Sequence, residues 1–469
     1  MKGTSFRSFF AVWLAFAGTL FFANVLYAQD QLKMIAPKSA AMADSLARAR
    51  ALDSLLQWRA SDSLPHAHPI GFPEFLAAVA ANNLDYAVQK YSISIAQAQI
   101  TVAKLYPDPS FSLGYTKDIS SVPPDQKFGD VWSVGASETI LLGGKIGARN
   151  SVAEQNMSTA QAQTEDFFRN LRATAAQAYI TALIADSNYK TNERTYENLV
   201  ELSRINAERV GAGDLGNVDL MQSRVDAIQA RGAVLQANAT RLQAFIQLGQ
   251  LMGRHNSDTL YRPMGTLSFP THAFNLDTLI TQAKATRSDV IAARRALESA
   301  RLSVDLAHAE RWPDLTLSAG YALTGSSTNS VAPFPGEKVI DFGISIPLPL
   351  SDVVNKGTIE EAEFTYEQAQ KSLQVAELKA ETDVRQAYAQ YQLAEEQYRQ
   401  YSGELLADAV KVREARLYSY KAGSASLLDV LTAENTLASV YLSYYTAFSG
   451  YATALVALEQ AAGIWDVEF

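Results

Sequence analysis

The chain has 469 residues, a formal net charge of −9 and 19% charged residues, and it contains no cysteine. The acidic balance excludes the basic surface that binding to nucleic acid requires. The lack of cysteine excludes disulfides, thiolate metal sites, cysteine nucleophiles and a lipid attached to a cysteine. We therefore expect any membrane attachment to come from the fold itself.

Residues 1–28 have the composition of a secretory signal peptide. Two basic residues precede an uncharged apolar run over residues 9–26, and the small residue Ala28 marks the expected cleavage point. A retained membrane anchor is the alternative, but the polar, Ala-rich segment that begins at Gln29 favours cleavage. Residues 29–70 follow as a predicted N-terminal periplasmic extension, to which no function is assigned.

The rest of the chain contains an internal repeat at an offset of about 206 residues. The matching residues are Pro107-Asp108 with Gly114-Tyr115 in the first copy, and Pro313-Asp314 with Gly320-Tyr321 in the second. Downstream, Gly211-Ala212-Gly213 matches Ala422-Gly423-Ser424. We predict two structural repeats, over residues 71–270 and 271–469, each beginning with a helix that ends at Pro107 or Pro313.

After each of these prolines the hydrophobic period changes from about 3.6 to 2, which predicts strands. The predicted strands cover residues 109–118, 131–141, 314–324 and 338–348. One face is apolar and aromatic, whereas the other is small and hydroxylated. This alternation fits a transmembrane barrel with a wet lumen, and the edge of a soluble sandwich is the alternative. Because four strands cannot close a barrel and open edges are not tolerated in lipid, a membrane placement requires several chains to pool their strands.

Each repeat continues with a helix of about 64 residues, some 95 Å long at 1.5 Å per residue, and a returning helix. The predicted helices cover residues 147–210, 217–253, 358–421 and 426–462. In the third of these helices, apolar and small residues recur at alternating steps of three and four, with one extra step of four from Ala380 to Val384, as in a coiled coil with one phase shift. This seam comprises Ile359, Ala362, Tyr366, Ala369, Leu373, Ala376, Ala380, Val384, Ala387, Tyr391, Ala394, Tyr398, Tyr401 and Leu405.

Residues 435–458 are uncharged, so a transmembrane helix is a rival for this segment. The recurring Ser, Thr and Tyr residues favour a helix that other helices bury. A long structural coiled coil of the cell envelope without channel activity explains all the helices equally well, but it does not explain the strands.

The order of these elements resembles the TolC family of outer-membrane efflux proteins from about Gly71 to Trp465. The most specific match is Tyr420-Lys-Ala-Gly423-Ser-Ala-Ser-Leu-Leu-Asp429, similar to the second periplasmic helix turn of the family. Residues 210–219 are similar to the first turn, and Leu141-Leu-Gly143-Gly144 to the strand-to-helix turn. The resemblance implies a homotrimer in which three copies of four strands form a twelve-stranded transmembrane β-barrel. It also implies that the long antiparallel coiled-coil helices form an α-barrel in the periplasm.

The resemblance further implies a passive exit duct in the outer membrane, part of a tripartite efflux or type I secretion system. Its partners would be a periplasmic adaptor, an inner-membrane pump and outer-membrane lipid. We expect no enzymatic activity and no cofactor, because the sequence has no phosphate-binding loop, nucleophile elbow or clustered metal ligands.

The resemblance also assigns site residues. By position, Asp219, Tyr420 and Asp429 correspond to the constriction that closes the family's channels, but Ala425 and Thr432 replace an arginine and a second aspartate of that constriction. Carboxylates repeated around a narrow pore favour cations. The alternative is that the two aspartates only complement the dipoles of the returning helices. The predicted adaptor-docking tips are Gly211, Gly213, Leu215, Ala422, Gly423 and Ser424.

Overall fold

The computed structural model describes residues 67–117, 119, 129–254, 259–267, 273–326, 335–348, 353–402 and 404–465. The predicted signal peptide and residues 29–66 of the predicted extension lie outside the described residues. The described chain forms two compact units, of which the smaller is Asn192–Leu235 and the larger comprises the remaining described residues.

The described elements alternate between helical and extended segments in the same order in both halves. The first half contains β1 (His68–Ile70), α1 (Phe72–Asn82), α2 (Leu84–Ala103), β2 (Ser110–Thr116), β3 (Val131–Ile140), α3 (Lys145–Ala212) and α4 (Asn217–Leu251). The second half contains β4 (Tyr261–Pro263), α5 (Leu276–Thr286), α6 (Ser288–Ala309), β5 (Leu315–Thr324), β6 (Glu337–Ser345), α7 (Val353–Ser402), α8 (Glu404–Lys421) and α9 (Leu427–Ala462).

The lead-in to each half differs from the prediction in two ways. It consists of two helices joined at an extended residue, Asn83 or Arg287, rather than of one helix. The second helix of each pair ends four residues before its proline, at Ala103 or Ala309. The chain leaves the helix through tighter bonds of the i→i+3 type, such as Leu105 N–H to the Val102 carbonyl at 3.0 Å, before the proline is reached.

Two short strands, β1 and β4, pair in parallel and were not predicted. The buried phenol of Tyr179 on α3 holds them together. Its hydroxyl lies 2.8 Å from the Ile70 carbonyl and 2.6 Å from the Met264 carbonyl, and it accepts from the Met264 N–H at 3.0 Å. Burial raises the pKa of Tyr179 to about 12, so this hydroxyl keeps its proton at ordinary pH.

The four longer strands form an antiparallel sheet in the order β2-β3-β5-β6. β6 ends at Ser345 instead of residue 348, since Pro347 has no N–H to donate to a neighbouring strand. β2 and β6 are the edges of the sheet, and each has a partner strand on one side only within the described chain.

α7 is covered along one side, and the covered side is the predicted coiled-coil seam. Every seam residue from Ile359 to Tyr401 is buried or half-buried. Leu405, the last predicted member, is 44% exposed on α8, so the seam ends before it. The predicted helix over residues 358–421 corresponds to α7 and α8, and Gly403 between them lies outside the described residues.

α9 packs on α7 through aromatic side chains, and its buried residues include Phe448 and Tyr451. Tyr398 of α7 stacks on Tyr451 with 5.1 Å between ring centroids. This packing agrees with a helix buried by other helices. Across the described part of the chain, no helix combines the length and hydropathy of a membrane-spanning segment.

Two arginines bind the carbonyl end of α9. Arg169 of α3 donates to the Gln460 carbonyl at 2.6 Å, and Arg287 donates to the Ala461 carbonyl at 3.2 Å. Arg287 is buried and also forms ion pairs with Asp289 at 2.7 Å and Asp383 at 3.0 Å. The arginines therefore satisfy carbonyls that have no partner within the helix, and they tie α3, α6, α7 and α9 together.

Candidate functional site

The two faces of the sheet differ sharply in chemistry. One face is apolar and consists of Phe111, Leu113, Tyr115, Trp132, Val134, Ala136, Glu138, Ile140, Leu315, Leu317, Ala319, Tyr321, Leu323, Lys338, Ile340, Phe342 and Ile344. Phe342 is 84% exposed, Phe111 74% and Ile344 73%, so no described part of the single chain covers this face. Large uncovered apolar surfaces mark contact with a membrane or another protein.

The other face is small and polar. It consists of Ser110, Ser112, Gly114, Thr116, Val131, Ser133, Gly135, Ser137, Thr139, Thr316, Ser318, Gly320, Ala322, Thr324, Glu337, Val339, Asp341, Gly343 and Ser345. Hydroxyl groups bond across it, as in the 2.7 Å contact between the Ser110 and Ser137 Oγ atoms. A face of this kind suits water.

The sheet is joined to α3 by a tight turn. Gly143 and Gly144 both have left-handed φ angles, of 73° and 74°. The buried Lys145 donates to the Asp314 carboxylate at 2.6 Å, which fixes the first turn of α3 to the start of β5. A Cβ atom at Gly143 would lie 2.6 Å from the Trp312 side chain, so only glycine fits there.

The second hairpin turn joins α8 to α9. Gly423 has a φ of 77°, its N–H donates to the Tyr420 carbonyl at 3.0 Å, and the Ser424 N–H donates to the Ser419 carbonyl at 2.9 Å. These bonds cap the carbonyl end of α8. Ala422, Gly423 and Ser424, three of the predicted tip residues, are exposed.

α9 begins with a reciprocal cap. The Asp429 N–H donates to Ser426 Oγ at 3.2 Å, and the Asp429 carboxylate accepts from the Ser426 N–H at 3.0 Å and from its hydroxyl at 2.7 Å. Arg416 of α8 lies 3.8 Å from the same carboxylate. The hydrogen bonds from Ser426 hold the pKa of the Asp429 carboxyl below its usual range, so Asp429 is ionised at neutral pH.

The first hairpin turn has the same backbone. Gly213 has a φ of 82°, its N–H donates to the Val210 carbonyl at 3.1 Å, and the Asp214 N–H donates to the Arg209 carbonyl at 2.9 Å. Gly213 is therefore equivalent to Gly423, and the predicted match between Gly213 and Ser424 is wrong by one residue. α3 also continues through Ala212, so the predicted tip residue Gly211 lies in the helix.

The three predicted constriction residues have different surroundings. Tyr420 is 1% exposed, so its ring is enclosed by protein in the single chain. Asp429 lies beyond the same turn and is half-buried. Asp219 belongs to the smaller unit, where it is half-buried in the first turn of α4, and the tip residue Leu215 is half-buried just before it.

Sequence reasoning missed a buried ion pair in the second hairpin. Arg413 Nε of α8 donates to the Glu434 carboxylate of α9 at 2.6 Å, and only 16% and 5% of the two side chains is exposed. The signal was available, because Glu434 immediately precedes the uncharged run over residues 435–458. Because this run was expected to be buried by other helices, a carboxylate at its edge would need a partner if it were buried as well.

Comparison with known proteins decides the family. The family described as outer membrane efflux protein matches residues 76–254 and 279–464, most of the chain and both of its halves. The chain belongs to the outer membrane efflux protein family. The protein is accordingly placed in the bacterial outer membrane with a large periplasmic part.

Three proteins to which the chain is similar are distant from it in sequence. The cobalt-zinc-cadmium resistance protein CzcC of Cupriavidus metallidurans is 24% identical over 81% of this chain and 86% of that protein. The outer membrane protein TolC of Vibrio cholerae is 24% identical over 76% and 82%. The crystal structure of the Campylobacter jejuni CmeC outer membrane channel has a TM-score of 0.69 at 20% identity, and covers 83% of this chain and 85% of that one. This outer membrane efflux protein thus has the fold of a channel, and a structural coiled coil without a channel is not favoured.

Proposed function

We propose that the protein is the passive exit duct of a tripartite efflux or type I secretion system, and that it works as a homotrimer. The observation that carries this proposal is the four-stranded sheet, with an uncovered apolar face, a small polar face and two open edges. Open edges are not tolerated in lipid. Three copies joined edge to edge would form a twelve-stranded barrel, apolar outside and wet inside.

The internal repeat specifies how the edges would meet. Within one chain, Gly135 of β3 is opposite Gly320 of β5. In the internal repeat β6 corresponds to β3, because Gly343 is opposite Ser318 just as Gly135 is opposite Ser112. By the same match β2 corresponds to β5, so Gly114 is equivalent to Gly320. We therefore expect β6 of one copy to pair with β2 of the next, with Gly343 opposite Gly114 and Ser345 opposite Ser112.

A pair of introduced cysteines tests this arrangement in a chain that has none of its own. Ser112 and Ser345 lie on opposite edges of the sheet, three strand spacings or about 14 Å apart, too far for a disulfide within one chain. We expect the Ser112→Cys/Ser345→Cys variant to form covalent trimers on oxidation in outer membranes, resolved on a non-reducing gel.

The matched control shifts one cysteine by two residues along the same face. Ser110→Cys/Ser345→Cys keeps both side chains on the polar face but places them out of register. Covalent trimers from the control at the same yield, or only monomers from the first variant when the protein is folded in the outer membrane, would contradict the proposed barrel.

The constriction and the tips complete the proposal. Around a threefold axis, Asp429 and Asp219 would each be repeated three times, which gives rings of carboxylates that favour cations. Ser426, and to a lesser extent Arg416, stabilise the charge of Asp429 in each copy. The exposed turns that contain Gly213 and Gly423 would contact a periplasmic adaptor, which links the duct to an inner-membrane pump. Exported molecules would pass through chemically unchanged.

A further inference from the structure

The apolar face of the sheet contains a trough. Ala136 of β3 is opposite Ala319 of β5, and the neighbouring residues in the same row are Phe111 on β2 and Phe342 on β6. Two small side chains thus separate two large ones. A cavity of ≈ 410 Å³ lies over this gap and extends along the strands toward the start of α3.

The cavity opens on the apolar face. Its lining includes Ala136, Ala319 and Phe342 of one row, and Glu138, Leu317 and Ile344 of the next row on the same face. The row between them has its side chains on the polar face, where Ser137 contacts Ser110. That intermediate row therefore supplies only the floor of the trough.

A carboxylate stands at one end of the trough. Among the paired residues of the described strands, Glu138 is the one acidic residue on the apolar face and Lys338 the one basic residue. Glu138 is exposed and has no ion pair within the described part of the chain. Its carboxylate therefore places an uncompensated negative charge at the end of the apolar trough.

The two charges of the apolar face lie at opposite rims. Lys338 shares a row with Trp132, six residues before Glu138 on β3, which corresponds to about 20 Å along the strand. The lipid-facing band of an outer-membrane barrel is about 25 Å tall. Glu138 would thus stand near the inner rim of the band, on the side where α3 begins, at the level of lipid headgroups.

We propose that the trough binds a phospholipid whose headgroup carries a primary ammonium group. The ammonium donates to the Glu138 carboxylate, and one acyl chain lies over Ala136 and Ala319. Such a lipid matches both features, because its ammonium group can form a charge-assisted hydrogen bond with the carboxylate and the trough accepts an apolar chain. This inference rests on the proposed function, since the apolar face must be embedded in the outer membrane.

Native mass spectrometry of the delipidated, full-length protein tests the site. The protein is incubated with phosphatidylethanolamine or with phosphatidylglycerol of the same acyl chains, with EDTA present to remove divalent cations. We expect wild type to retain the ethanolamine lipid preferentially, and Glu138→Gln to weaken that retention about three- to tenfold. Lys338→Gln is the matched control, because it removes a charge from the other rim of the same face and should leave the preference unchanged.

A second variant tests the contribution of the trough to lipid binding separately from that of the Glu138 charge. Ala319→Leu fills the trough and should lower the retention of both lipids together. Equal retention of the two lipids by wild type, or a preference that survives in Glu138→Gln, would overturn the proposal. If the protein that gives either result still inserts into the outer membrane and conducts ions, only the lipid site is contradicted. Folded protein that neither inserts into the outer membrane nor conducts ions would overturn the proposed function as well.

Discussion

The two hairpin turns share one backbone but differ in the side chains that support it. In the second hairpin, Ser426 and Asp429 form a reciprocal cap, and the ion pair between Arg413 and Glu434 is buried between α8 and α9. In the first hairpin, the positions equivalent to Ser426, Arg413 and Glu434 are Gly216, Ser203 and Arg224. These residues can form neither the reciprocal cap nor the buried ion pair. Duplication has thus preserved the turn, while the side chains that fix each returning helix have diverged.

The largest expected effect comes from breaking the buried ion pair. Glu434→Ala leaves Arg413 without its carboxylate in a mostly buried position, which costs about 3–5 kcal/mol. We expect amide hydrogen exchange in residues 404–440 to accelerate by about two orders of magnitude or more. The control is Arg413→Met/Glu434→Leu, which removes both charges and should recover most of the protection. Equal loss in the single and double variants would contradict a role for the buried charge.

A smaller effect is expected at the cap of α9. Ser426→Ala removes the acceptor of the Asp429 N–H and a donor to its carboxylate, at a cost of about 1 kcal/mol. Hydrogen exchange should accelerate in the first turn of α9 and remain unchanged in α4. Unchanged protection of α9 would mean that tertiary packing alone fixes this helix end.

The reverse change in the first hairpin should give a smaller gain. Gly216 has no left-handed φ, and a Cβ there would lie 3.8 Å from the Asp219 carboxylate, in ordinary contact. Gly216→Ser would therefore install the missing cap and stabilise the start of α4 by a few tenths of a kcal/mol. Slower exchange in the first turn of α4 is the expected result. Faster exchange would show that the first hairpin requires glycine at this position.

The stability of the second turn should also depend on pH. The Asp429 carboxyl has a lowered pKa, chiefly because the Ser426 side chain donates to it. Such a group stabilises the folded state above its unfolded pKa of about 3.9, and this stability is lost as pH falls through the folded pKa. We expect protection of the first turn of α9 to drop between pH 5 and pH 3, after correction for intrinsic exchange rates. The drop should be smaller in Ser426→Ala, and equal drops would contradict the assigned cause.

Much of the fold follows from the sequence, because patterns of period 2 and 3.6 are local. The alternation in residues 110–116 and 315–324 gives both the strands and their faces, and the spacing from Ile359 to Tyr401 gives the covered side of α7. The helix ends before Pro107 and Pro313 depend on the bonding of the last turn, which composition does not specify. The three-residue strands β1 and β4 are too short to show a period.

The candidate site was less predictable, since its contacts join distant positions. Gly213 and Gly423 were visible as glycines, but their equivalence became clear only from their φ angles and capping bonds. The pair between Arg413 and Glu434 spans a hairpin, and neither residue reveals its partner. The trough beside Glu138 requires the register of β3, β5 and β6, which links residues that lie about 180 to 200 positions apart.

Single-channel conductance of the purified, detergent-extracted protein in a planar lipid bilayer tests the central claim most directly. For wild type, a trimeric duct with acidic rings predicts discrete, cation-preferring openings, and Asp219→Ala/Asp429→Ala should make them larger or less selective. If the double variant leaves the openings unchanged, the protein is still a duct, but the assignment of Asp219 and Asp429 to the constriction is contradicted. The absence of any conductance from a folded, trimeric sample would contradict the duct itself.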